Sequence, residues 1–166
     1  MLKKRCNPLS YSQDERILKN LLKEIINSTP GLKYVIIIDD TGITIMSESK
    51  FILKSPTEED ISVEKIGAIG GAVFTAGEEQ GYILGYGNIH LQITEYFKGM
   101  IFSLKVGKGI LTVATDKNIQ MGLVRAIMNK YSQKISSVLD RYLQEEKGEM
   151  NKELKELFNS DTISLL

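Results

Sequence analysis

The chain is poor in the residues that most often carry chemistry or staple a fold. It has a single cysteine, Cys6, so no internal disulfide can form. A lone thiol near the N-terminus reads as an inert group in a reducing compartment. It also has a single histidine, His90, which falls in an alternating stretch where an outward polar residue on a strand is the plainer reading than a general base. With one His and one Cys far apart in sequence, neither a zinc site nor a Cys–His nucleophile is indicated. A surplus of one charge sign is missing too, with 21 basic against 21 acidic side chains. Nucleic-acid binders usually carry a basic excess to pair with phosphates, so no nucleic-acid partner is expected. The run Lys3-Lys4-Arg5 is read as a solvated tail. No apolar run approaches the roughly 18 residues of a membrane span. No long apolar segment follows the basic N-terminus, so a secretory signal is not expected. The expectation is a cytoplasmic protein with no direct membrane insertion.

What is present is a globular composition. Of 166 residues, 42% are apolar and 25% charged, with few prolines. That suffices for one domain with its own core, burying roughly 70% of the unfolded surface.

Residues 12–28 predict an amphipathic helix. Ile17, Leu18, Leu21, Leu22, Ile25 and Ile26 recur at three- and four-residue spacing. Ser12 and Glu15 have the form of a capping box, and Thr29-Pro30-Gly31 ends the helix. The run Val35-Ile36-Ile37-Ile38 predicts a strand covered on both faces. Asp39-Asp40-Thr41-Gly42 turns the chain into a second strand over 43–46, and 47–60 reads as a polar loop.

A second helix is predicted over 61–79. Ile66, Ile69, Val73 and Ala76 make one stripe; Gly67, Gly70, Gly71 and Phe74 lie on another side. Glycine costs about 1 kcal/mol relative to alanine inside a helix, so three in five residues call for a reason. Close approach of another backbone is the natural one. Gly81, Gly85 and Gly87 then read as a loose connection.

Three strands follow, over 88–95, 100–104 and 110–115. Asp116 or Asn118 is placed to cap a long last helix. Its stripe is Ile119, Leu123, Ile127, Tyr131, Ile135, Val138 and Tyr142. The expected fold is therefore α/β in the order α-β-β-α-β-β-β-α. One five-stranded, mostly antiparallel sheet has helices on both faces, the glycine-bearing helix opposite the two longer ones. The domain is expected over 12–147. Residues 148–166 form an extension after Gly148, in which Met150, Leu154, Leu157 and Phe158 can build a short amphipathic helix.

No catalytic constellation assembles. The glycines 67–71 sit inside a helix and no Gly-Lys-Ser/Thr follows, which excludes a P-loop reading. Asp39-Asp40 could hold a divalent cation, but adjacent carboxylates at a hairpin tip are more often turn formers. Glu58-Glu59-Asp60 complements a helix dipole. Arg125 is the one arginine with the look of a finger for phosphoryl transfer, but it lies on the long helix among aliphatics, where a salt bridge or snorkelling stem is the commoner fate. The chain is read as a non-enzyme with no cofactor and no metal.

Three segments carry a family likeness: the hairpin Val35–Gly42, the small-residue helix Ile66–Ala72, and Asp116-Lys117-Asn118-Ile119-Gln120-Met121-Gly122-Leu123-Val124-Arg125. In order and spacing, over about residues 14–140, the chain resembles the Roadblock (dynein light chain) family. The third segment is the most specific. The resemblance implies a homodimer, or a heterodimer with a second Roadblock-type chain. The strand 88–95 would pair with its twin and the helices 61–79 would lie together. The contacts so implied are Gly67, Gly70, Gly71, Phe74, Ile89, His90, Leu91 and Gln92. It further implies an adaptor or regulator of a small Ras-like GTPase. Two alternatives stand beside it: a small-molecule sensor of the PAS or GAF kind, and a structural subunit of a heteromeric Roadblock complex.

Overall fold

Aliphatic spacing decides the first helix, α1 (Gln13–Asn27). Leu18, Leu21, Leu22, Ile25 and Ile26 form its buried face, as the periodicity requires. The structure is a computed structural model, and it describes residues 13–39, 41–50 and 63–161. Cys6, the Lys3–Arg5 run, the cap residue Ser12, Asp40 and the acidic trio at 58–60 lie outside the described residues.

The strands are β1 (Leu32–Asp39), β2 (Thr44–Ser49), β3 (Leu91–Tyr96), β4 (Gly99–Val106) and β5 (Gly109–Asp116). They form one sheet in the order β2-β1-β5-β4-β3, and every pairing is antiparallel. The second strand runs three residues further than its aliphatic pattern, to Ser49, because pairing with β1 carries the polar Ser47-Glu48-Ser49 into the ladder. The third, β3, starts at Leu91, so Ile89 and His90 precede it.

Val35 to Ile38 are wholly buried. Val35 and Ile37 join the main core with α1 and with α3 (Met121–Asp161). Ile36 and Ile38 alternate to the other face, where α2 (Val63–Ile83) lies. The glycine-bearing helix α2 and the pair α1 and α3 thus occupy opposite faces, as expected.

Helix α2 runs four residues past its expected end. Its close is an ordered cap: the Gly85 N–H donates to the Tyr82 carbonyl and the Tyr86 N–H to the Gly81 carbonyl. Gly85 takes φ +71°, the left-handed conformation that such a cap needs. A loose glycine connection is therefore not what forms there.

Two expectations for α3 change. It opens at Met121, with the Gln120 carbonyl accepting from the N–H groups of Leu123 and Val124. Asp116 does not cap it, being ion-paired with Lys33. The expected stripe packs on the core at Ile119, Ile127, Tyr131, Ile135, Val138 and Tyr142; Val124 and Met128 join it, whereas Leu123 is exposed. The helix also runs through Gly148 without a break. Its packing against the body ends near Leu143, and it continues to Asp161, about 27 Å further at roughly 1.5 Å per residue.

Candidate partner-binding surface

Helix α2 is laid directly on the hairpin of its own chain. A Cβ at Gly71 would stand 2.8 Å from the Gly42 Cα, and one at Gly67 would overlap the Thr44 hydroxyl. At Gly70 the nearest atom would be Ile38 Cδ1 at an ordinary 3.6 Å. Phe74 is fully buried on the same side. The backbone whose close approach explains these glycines is therefore the chain's own hairpin, not a second helix. That hairpin is held by Asp39, whose Oδ1 accepts from the Thr41 N–H (2.9 Å), the Thr41 hydroxyl (2.7 Å) and the Ile43 N–H (2.8 Å). The carboxylate is a turn former.

The other stripe of α2 consequently faces outward, with Ile69 64% and Val73 46% exposed. The helix packs on β1 and β2 and leaves the β3 side of its face open. An apolar groove of roughly 220 Å³ results. Ile66, Ile69 and Val73 form one wall, and Thr94, Tyr96 and Ile101 belong to the sheet. Beneath them Ser103 and Thr112 are buried and share a hydrogen bond of 3.2 Å, so the floor has no unpaired hydroxyl.

Beside the groove runs the edge of β3, whose pairing to β4 uses only one side of the strand and which is free among the described residues. Gln92 points to the groove, Leu91 and Ile93 to the opposite face beside the core. His90 is exposed ahead of the strand, and Ile89 tucks under α2 at Gly77. Tyr82, Ile83, Leu84 and Tyr86 project from the end of α2, and Phe97 tops the β3–β4 turn. This collar is absent from the expected contact set. Its signal was the segment Tyr82-Ile83-Leu84-Gly85-Tyr86, which reads as connection only if the helix is ended too early. Arg125 is exposed beside the β3 edge and makes no ion pair among the described residues.

No family model matches the chain. Two uncharacterised proteins of Methanocaldococcus jannaschii are each 27% identical to it. One match spans 113 residues, 68% of this chain and 92% of that protein; the other spans 124 residues, 75% and 98%. Among solved structures, MglB of Myxococcus xanthus superposes with a TM-score of 0.68 at 18% identity, over 80% of this chain and 95% of that one. A gliding protein MglB of Thermus thermophilus gives 0.67 at 14%, over 79% and 94%. A Roadblock/LC7 domain of Streptomyces avermitilis gives 0.61 at 13%, over 75% and 95%. The fold is of the Roadblock type. In this Roadblock-type chain the features above are the open edge, the outward stripe of α2 and the collar between them. No helix among the described residues is long and apolar enough to cross a membrane.

Proposed function

We propose that this chain is a dimeric adaptor or regulator that binds a small Ras-like GTPase, acting through binding and not through chemistry of its own. The observation that carries the dimer is the free β3 edge lying beside an outward apolar stripe, Ile69 and Val73. An unpaired strand edge and a contiguous exposed apolar patch both call for cover. A twin chain supplies cover for both at once by a two-fold axis. On this reading Ile89, His90, Leu91 and Gln92 line the seam, and Gly70 lies under it. Gly67, Gly71 and Phe74 set the height of α2 from behind. The GTPase assignment draws on the Roadblock resemblance, and the paired α2 helices with their flanking loops form the platform. The domain is read as 12–147, with 148–166 as an extension, and the protein as working in the cytoplasm without a cofactor.

A PAS- or GAF-type sensor is the weaker reading. Val35 to Ile38 are wholly buried with helices on both faces of the sheet, which argues against an internal ligand cavity there. A heterodimer with another Roadblock-type chain would use the same seam. The test is titration of the full chain with Ras-like GTPases of its own organism in the GDP and GTP states, with hydrolysis rates measured alongside. Saturable binding to one of them supports the proposal. Absence of binding together with unchanged turnover across the set sinks it.

A further inference from the structure

The most exposed large apolar side chain among the described residues, Phe97, and an open groove lie at opposite ends of the same strand edge. Phe97 is 88% exposed at the β3–β4 turn, with the Lys117 ammonium 5.1 Å from its ring centre. The groove, roughly 520 Å³, sits at the start of β3 and is lined by Leu84, Tyr86, Ile89, Leu91, Ile93 and Arg125, among others. Resting on the dimer reading above, we infer that Phe97 of each chain docks into this groove of its twin, and that Glu95 meets the partner's Arg125 in the same contact.

The argument is one of parity. Identical strands joined by a two-fold axis perpendicular to the sheet pair antiparallel. Residues directly opposite must place their side chains on the same face, because the side-chain period is two. Ile93 pairs with Phe102 and faces the main core, while Thr94 pairs with Ile101 and faces the groove under α2. The axis therefore passes through a residue, never between two. The central residues of β3 are Ile93 and Thr94. An axis at Ile93 sets Phe97 opposite the partner's Ile89. An axis at Thr94 sets it opposite the partner's Leu91. Leu91 lies on the core-side face and lines the groove, whereas Ile89 precedes the strand with its side chain under α2 at Gly77, so the axis at Thr94 is the register that delivers the ring to the groove.

Charge agrees with the geometry. Glu95 pairs with Met100, so it shares the core-side face with Ile93. The two registers bring it opposite the partner's Leu91 or the partner's Ile93, both of which line the same groove as Arg125. Neither Glu95 nor Arg125 has an ion-pair partner among the described residues of its own chain. An axis at Glu95 itself would face two carboxylates across the seam, which like-charge repulsion disfavours. The contact repeats at both ends of the seam, closing it with two aromatic anchors of the kind that dominate interfaces.

Sedimentation of the full-length chain over a wide concentration range tests this, with Phe97→Asp, Glu95→Arg, Arg125→Glu and the Glu95→Arg/Arg125→Glu pair. All three positions are exposed, so thermal melting serves to verify that each variant is folded. The expected result is a dimer dissociation constant at least tenfold weaker for Phe97→Asp. Each charge reversal weakens it severalfold, and the double reversal returns it to near the starting value. A wild-type dimer that Ile69→Lys splits, while Phe97→Asp and both reversals leave it unchanged, overturns this inference and leaves the dimer reading standing. A wild type that stays monomeric throughout overturns both.

Discussion

Arg141 grips Asp14 through two hydrogen bonds, Nη2 to Oδ1 at 2.9 Å and Nε to Oδ2 at 3.1 Å, tying α3 to the first turn of α1. The geometry is the parallel fork that makes arginine–carboxylate pairs specific. Hydrogen bonding from Arg141, aided by its charge and opposed by burial, holds the Asp14 carboxyl below the ordinary carboxylate range. A folded value below the unfolded one means that the contribution is fully present above about pH 4 and fades as pH falls through the lowered folded value. Arg141→Met is expected to lower the neutral-pH melting temperature and to make the acid limb of a stability-against-pH curve shallower. An acid limb of unchanged slope would show that the pair is not linked to proton binding.

Two neighbouring glycines in α2 should respond in opposite directions. Gly71→Ala drives a methyl into the Gly42 backbone and should cost about 1–3 kcal/mol, the usual penalty of overpacking. Gly70→Ala meets only the flexible end of Ile38 and gains helix propensity, so it should be neutral or stabilise by up to about 1 kcal/mol. Urea unfolding of both variants checks this. Equal losses would mean that α2 does not sit on the hairpin as described.

Ile69 and Val73 offer the converse separation. Both are exposed, so Ile69→Lys or Val73→Glu should change monomer stability by no more than about 0.5 kcal/mol. Light scattering after size-exclusion chromatography should nonetheless show loss of the proposed dimer. Unfolding in either variant would place these side chains in the core instead.

Gly148 has open space around it and sits inside a continuous helix. Gly148→Ala should therefore raise local helix stability by about 1 kcal/mol. Amide hydrogen exchange around this position should slow. An unchanged or faster exchange would mean that the extension breaks there after all.

The element order and the facing of the helices were readable because their signals are long and redundant. Val35–Ile38 could only be a doubly covered strand, and Leu18, Leu21, Leu22, Ile25 and Ile26 left one helical phase open. The direction in which α2 turns was not readable. Glycines at 67 and 71 announce a close backbone neighbour but not which one, and Gly42 is brought there only by the hairpin. The phase of α3 was readable from Ile127, Tyr131, Ile135, Val138 and Tyr142; only Leu123, in the first turn of the helix, faces out where Val124 faces in. Gly85 and Gly148 misled in opposite senses. The first is a cap that ends a helix late, and the second is an exposed helical position where glycine's cost is tolerable.

The strand order has a consequence for synthesis. The middle of the sheet is β5, the last strand made, and β1 pairs with it across most of the domain's length. A nascent chain that stops before residue 109 holds two separate pieces, the β1–β2 hairpin and the β3–β4 one, with the strand that joins them not yet made. Such long-range closure is slow, and until it happens the aliphatic run at 35–38 lacks its main partner. Chaperone demand during translation should accordingly concentrate in the interval between the emergence of Ile38 and that of Asp116.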